Sequence, residues 1–184
     1  LAQSPQFYKQ IMVGSGLERV FEVGPAYRAE KSETSRHLTE FVSLDFEMGF
    51  IESEQDLMRM HTGLIRAIFE AVREHCAPQL QRFKATLPQV EEIPQVSFTE
   101  ARETLARTFG KSEGLDGDLD TEGERLISEW ARKEMNSDLL FVTGYAMKKR
   151  PVYTMPSSDD PALSCSFDLL YRGVEITTGG QRIH

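Results

Sequence analysis

The sequence predicts an α+β fold, an antiparallel β-sheet flanked by helices. Three observations point there. Strand-like runs come in adjacent pairs: "RVFEVGPAYRAE" with "EFVSLDFEMGF", and two runs about a turn in "CSFDLLYRGVEITTGGQRI". Segments with apolar residues at helical spacing, opened by capping signals, lie between those pairs. Strand and helix do not alternate regularly, as a doubly wound sheet would require, so the helices are expected to gather on one side of the sheet.

The first element is a short helix over about Pro5 to Ser15, with Ser4 as N-cap, Pro5 at the first helical position, and Gly14 and Gly16 as stops. A strand follows from Arg19. In the next strand Val42, Leu44, Phe46, Met48 and Phe50 alternate on an expected core face, and Phe41, Ser43, Asp45 and Glu47 share the other. Ser53 to about Glu74 is an amphipathic helix with a Ser53/Asp56 capping box and a stripe of Leu57, Met60, Leu64, Ile68 and Val72; His61 and His75 read as bystanders. Residues 76–96 form a proline-punctuated connector. Thr99 to Phe109 is a helix stopped by Gly110, and a Thr121/Glu124 capping box opens another that runs to about Met135. "DLLFVTGY" is a strand. "KKRPVYTMPSSDDPALS" is a loop, and the last two strands meet at a turn near Tyr171 to Gly173.

Composition narrows the class. The 184 residues are 40% hydrophobic and 27% charged, enough for one domain with a real core and unlike a disordered chain. No apolar run approaches the roughly 20 residues that span a bilayer, so no membrane partner is expected. Cys76 and Cys165 lack metal-ligand spacing and read as reduced cysteines of a cytoplasmic protein. A net charge of −8 disfavours general coating of nucleic acid, leaving RNA contact local or to another domain. The chain opens on Leu1 within structured-looking sequence and closes in a strand-like run, so a piece of a longer protein is expected.

Four clusters carry possible chemistry. Arg28 and Glu30 share a strand face; the Arg28 fork suits phosphate or carboxylate, although a cross-strand ion pair is the simpler reading of the two alone. The loop "KSETSRHLTE" adds Arg36 and His37, cations that can fold over a triphosphate, or simply a charged hairpin tip. Phe41, an aromatic among polar residues, fits a stacked heterocycle. Asp168 and Glu175 converge if the chain bends at Tyr171–Gly173, and two carboxylates with phosphate oxygens are a normal magnesium arrangement. "TTGGQR" adds two glycines, where backbone can approach a ligand closely, and Arg182 as a carboxylate fork. Gln3, Ser4, Gln6 and Lys9 begin the first helix, suited to a small zwitterion with an extra negative charge or to a plain capped surface helix. The acidic loop "KSEGLDGDLD" is similar in spacing to calcium ligands, but the glutamate that closes an EF-hand loop is misplaced.

In order and spacing, "LAQSPQFYKQ", "FEVGPAYRAEKSETSRHLTEFVSLDFEMGF", "RPVYTMP" and "SFDLLYRGVEITTGGQRIH" resemble the catalytic core of class II aspartyl-tRNA synthetases of the archaeal and eukaryotic-cytosolic type. The likeness is strong at both ends and loose over 76–140. It implies that Arg28 is the catalytic arginine, contacting the ATP α-phosphate and the amino-acid carboxylate. Glu30 would meet the adenine amino group, Arg36 and His37 the γ-phosphate, and Phe41 the adenine ring. Asp168 and Glu175 would bind Mg²⁺, with Thr178 near phosphates and aspartate. Arg182 and Lys9 would converge on the substrate side chain beside Arg28, with Ser4, Gln6 and Asp45 orienting the amino acid and Lys9.

The resemblance also implies a partial catalytic domain over 1–184 that lacks motif 1, motif 3 and the anticodon-binding domain. Its partners would be ATP, L-aspartate and tRNA, in a full-length homodimer. Lys9 favours aspartate over asparagine, because burying an unpaired ammonium against a neutral amide is costly. Alternatives are an enzyme charging both tRNA(Asp) and tRNA(Asn), an ATP-dependent asparagine synthetase-like paralogue, and a non-catalytic binding fragment. "YAMKKRP" is more basic than the matching loop of the family, and the sequence offers no account of that.

Overall fold

A computed structural model describes residues 1–29 and 38–184. The chain divides into two compact units, Leu1–Ile51 and Glu52–His184.

The first unit is a helix on a hairpin. Helix α1 (Gln6–Gly14) starts with a hydrogen bond from Lys9 N–H to the Pro5 carbonyl at 3.1 Å. That first bond makes Pro5 the N-cap, one residue later than expected, and Ser4 instead accepts from the Gln6 N–H at 3.4 Å. Strands β1 (Arg19–Tyr27) and β2 (Glu40–Met48) pair antiparallel, with Phe21 opposite Phe46, Glu22 opposite Asp45 and Ala26 opposite Phe41. The expected strand end at Phe50 moves back to Met48, because Phe50 adopts φ +56°. The expected inward face is also corrected. Helix α1 lies on the polar face, through Lys9 and Gln6, while Phe21 and Val42 on the apolar face are 74% and 72% exposed.

The second unit is a four-stranded sheet between helices. Helix α2 (Glu54–His75) opens with the expected Ser53/Asp56 capping box. Helix α3 (Ala77–Phe83), which the proline-rich connector concealed, starts with Pro78 in its first turn. Strand β3 (Gln95–Ser97) leads into α4 (Phe98–Phe109), capped by a Ser97/Glu100 box and stopped by left-handed Gly110. Helix α5 (Thr121–Glu134) is capped by Asp120, which accepts from Gly123 N–H at 2.7 Å, so the expected Thr121 cap is one residue late. Strands β4 (Leu139–Thr143), β5 (Ser166–Tyr171) and β6 (Val174–Gly180) complete the order β3-β4-β5-β6.

The α+β reading stands, with two refinements. The β3–β4 pair is parallel, because α4 and α5 form a crossover long enough to bring the chain back in the same direction. Helices cover both sheet faces. Leu140, Val142 and Leu170 pack with Leu105, Ile127 and Ala131 of α4 and α5. On the other face His61 and Phe69 of α2 meet the rings of Phe167 and Tyr171 at 5.4 and 5.5 Å. The buried stripe of α2 is Leu57, Met58, His61, Ile65 and Phe69, so the expected stripe was turned toward its flank and Ile68 is exposed. The β5–β6 hairpin turns at Arg172 and Gly173, both with positive φ, as the short loop requires.

Candidate active site

In the first unit the polar hairpin face gathers several expected ligand residues. Lys9 is the one buried residue of α1. Its ammonium lies 3.1 Å from Asp45 Oδ1 and 3.9 Å from Glu47 Oε2. Gln6 Nε2 donates to the same Glu47 carboxylate at 3.0 Å, and Ser43 donates to Asp45. Further along this face the Arg28 guanidinium lies 5.2 Å from the Phe41 ring centroid, and its Nε–H reaches the Gln3 carbonyl at 3.5 Å. The hairpin register explains the row. Phe41, Ser43, Asp45 and Glu47 alternate onto one side, and Arg28 continues β1 through a backbone bond to Thr39 at 3.0 Å. Glu30, Arg36 and His37 lie outside the described residues.

In the second unit the β5–β6 pairing sets Asp168 opposite Thr178 and Glu175 opposite Leu170, two positions along the same strand, with a bulge between Leu169 and Leu170. Sequence reasoning missed what holds Asp168. Arg150 Nη2 donates to Asp168 Oδ2 at 2.7 Å, its Nη1 reaches Thr178 Oγ1 at 3.4 Å, and its guanidinium stands 4.0 Å from the Tyr145 ring centroid. Burial, with the Asp168 charge beside it, pushes the Tyr145 phenol well above its ordinary range. Burial also raises the neighbouring Asp118 carboxyl, against the pull of Arg150.

The basic loop now has an explanation. Lys148 pairs with Asp116 of the acidic loop, and Arg150 with Asp168. Gly117 lets the two loops meet, since a Cβ there would come within 2.8 Å of the Ala146 methyl. The excess of cations in "YAMKKRP" was visible in the sequence, but its carboxylate partners lie 18 to 32 residues away.

The two glycines of "TTGGQR" serve packing. A Cβ at Gly179 would lie 2.6 Å from the Phe167 ring, and one at Gly180 would press on Cys165 and Ser166. Arg182 stands 4.3 Å over the Tyr153 ring and is bridged to Thr154, so "RPVYTMP" runs beside "QRIH". Lys9 belongs to the first unit and Arg182 to the second.

Among the described residues no three His, Cys, Asp or Glu side chains cluster as a metal centre, and no helix is long and apolar enough to cross a membrane. Mg²⁺ needs few protein ligands, however. Asp168 Oδ1 is buried and takes no hydrogen bond, and such an orphaned acceptor fits a cation or one of its waters. Asp168 therefore fits through one oxygen, the other being held by Arg150.

A model of class II tRNA synthetases for D, K and N matches residues 1–184. The chain belongs to this family. It is 50% identical over its whole length to an aspartate–tRNA(Asp/Asn) ligase of Aeropyrum pernix, covering 42% of that protein. It is 44% identical to an aspartate–tRNA(Asp) ligase of Thermococcus kodakarensis, again over its whole length and 42% of the relative. An aspartyl-tRNA synthetase structure from Entamoeba histolytica superposes with a TM-score of 0.90 at 38% identity, covering all of this chain and 39% of the other. The chain thus spans less than half the length of the relatives it matches.

Proposed function

We propose that the chain is the aspartate- and ATP-binding part of an aspartate–tRNA ligase. The observation that carries the reading is the polar hairpin face, where Arg28 at the end of β1 and Phe41 of the paired β2 share one side with Lys9 of α1, held there by Asp45. The names of the family relatives support the same substrate.

The chemistry follows from the residue types. An aspartate α-carboxylate attacks the ATP α-phosphorus in line, forming the P–O bond of aspartyl-adenylate as the bond to pyrophosphate breaks. The carboxylate is already the nucleophile, so the protein contributes position and charge neutralisation instead of a general base. Arg28 serves the charge that develops at the α-phosphate, and Phe41 offers a face to adenine. Glu30, Arg36 and His37 hold the remainder of ATP. Lys9 and Arg182 are the cations for the substrate side chain, with Ser4, Gln6, Asp45 and Thr178 as polar contacts. Asp168 and Glu175 would hold Mg²⁺, which neutralises phosphate charge. A ribose hydroxyl at the 3′ end of tRNA then attacks the activated carbonyl and releases AMP. The reading implies a cytoplasmic homodimer in the full-length protein.

In full-length protein, Arg28→Ala should lower aspartate-dependent pyrophosphate exchange by about 10²–10³, the scale of one lost donor to a developing charge. Exchange within a few-fold of the unaltered protein would make Arg28 a structural cation. A second reading, charging of both tRNA(Asp) and tRNA(Asn), is supported by the Aeropyrum relative's name. Aminoacylation of the two purified tRNAs with aspartate separates them.

A further inference from the structure

Arg150 opens the "RPVYTMP" stretch but has no role assigned from the sequence, yet it touches two residues that do. Its side chain is 12% exposed and that of Asp168 only 6%. The guanidinium joins Asp168 on β5 to Thr178 on β6 at the point where those residues face each other in the ladder. The Tyr145 ring backs it, which fixes the plane of the fork. An arginine fork can hold two acceptors at once, here one on each strand.

This arrangement has a consequence for cations. Asp168 carries one negative charge and Arg150 cancels it inside the protein, where charges act on each other more strongly than in water. A divalent ion approaching the free Oδ1 of Asp168 meets the guanidinium on the other oxygen of the same carboxylate. By itself the ion gains little. The phosphates of a nucleoside triphosphate bring the missing negative charge. We propose that Arg150 is a positioning residue that keeps this site closed to a free divalent cation, so that the cation is taken together with the triphosphate. The inference rests on the reading that Asp168 serves the metal of ATP. Without Arg150, Asp168 and the nearby Asp118 would be two carboxylates deprived of their shared cation, a pair that attracts a divalent ion without nucleotide.

The test uses full-length protein and Mn²⁺, followed by the loss of the free-ion paramagnetic signal with no nucleotide present. The unaltered protein should bind Mn²⁺ weakly, and Asp168→Asn should not change its curve. Arg150→Met should bind nucleotide-free Mn²⁺ about tenfold more tightly or better; neighbours of metal ligands alter affinity by roughly 10–100-fold, and the change is a gain here because the lost neighbour is a cation. Adding Asp168→Asn to Arg150→Met should remove that gain. Arg150→Lys keeps the charge and should stay near the unaltered protein, which a purely structural role would not separate from Arg150→Met. A folded Arg150→Met with no gain overturns the proposal. So does tight nucleotide-free binding by the unaltered protein that Asp168→Asn abolishes, and this comparison decides the matter if Arg150→Met does not fold. Failure of the aspartate reading would show separately, as absent aspartate-dependent exchange in the unaltered protein.

Discussion

A lysine ammonium inside a protein must be paired, and Lys9 is paired twice, with Asp45 and Glu47. Lys9→Leu would leave the two carboxylates facing an apolar side chain. Removing one partner of a largely buried ion pair costs about 3–5 kcal/mol. The expected outcome in full-length protein is therefore double: a lower melting temperature, and a smaller preference for aspartate over asparagine in adenylate formation, each at saturating ATP. A lower melting temperature with the aspartate-to-asparagine ratio intact would leave Lys9 a packing residue only. Strand alternation made the Asp45 partner legible, because Asp45 shares the face that carries Phe41. Glu47 lies on that face too, but its role depends on the depth of α1, which no spacing reports. His61 shows the reverse case. It read as a bystander, yet it is buried against Phe167 with Nδ1 3.1 Å from the Leu57 carbonyl. Burial holds its pKa below the ordinary value of 6.5. The unfolded chain then binds a proton that the folded chain refuses, so its contribution to stability is complete above pH 6.5 and declines as pH falls below it. His61→Phe should flatten the fall in melting temperature between about pH 6.5 and 5 relative to the unaltered chain; an unchanged slope would assign the fall to other groups.

Elements were legible where local chemistry alone sets their ends. The Ser53/Asp56 box, the Gly110 stop and the Arg172–Gly173 turn each act within a few residues, and each falls where the sequence puts it. The Thr121 cap failed by one position because Asp120 competes for the same task, and a carboxylate is as good an N-cap as a hydroxyl. Helix α3 was hidden because Pro78 reads as a breaker, although proline is well tolerated in a first turn. The glycines of β6 were assigned to ligand approach when one of them is required by a ring. Phe167 lies across Gly179, and no side chain fits between them. Gly179→Ala should therefore destabilise the chain by about 1–3 kcal/mol through overpacking. Phe167→Leu in the same chain should recover part of that loss, a coupling that chemical denaturation of the two single variants and the double variant would reveal. Strict additivity would mean that the clash is relieved elsewhere.

At the scale of the whole molecule, the pairing of strands was readable and the depth of burial was not. Alternation in 41–50 shows two faces but cannot say which is covered, since an apolar face reads as a core whether or not anything rests on it. The two units differ sharply in this respect. Among the described residues of Leu1–Ile51 only Lys9 and Ala26 are buried, whereas Glu52–His184 has a continuous core from Val96 to Leu170 with β4 and β5 buried along almost all of their length. Opening free energy follows the apolar surface that opening exposes, so the two hairpins should differ even though both are antiparallel and well hydrogen-bonded. In hydrogen exchange on the 184-residue chain, the ladder amides of β1 and β2 should exchange at least about tenfold faster than those of β4 and β5, a gap of roughly 1.4 kcal/mol or more in local opening. The α1 residues around Lys9 should follow the slower part of the first unit, since the Lys9–Asp45 contact ties helix to hairpin. Equal protection in both hairpins would show that the exposed row of Phe21, Val23, Val42 and Leu44 is covered in solution.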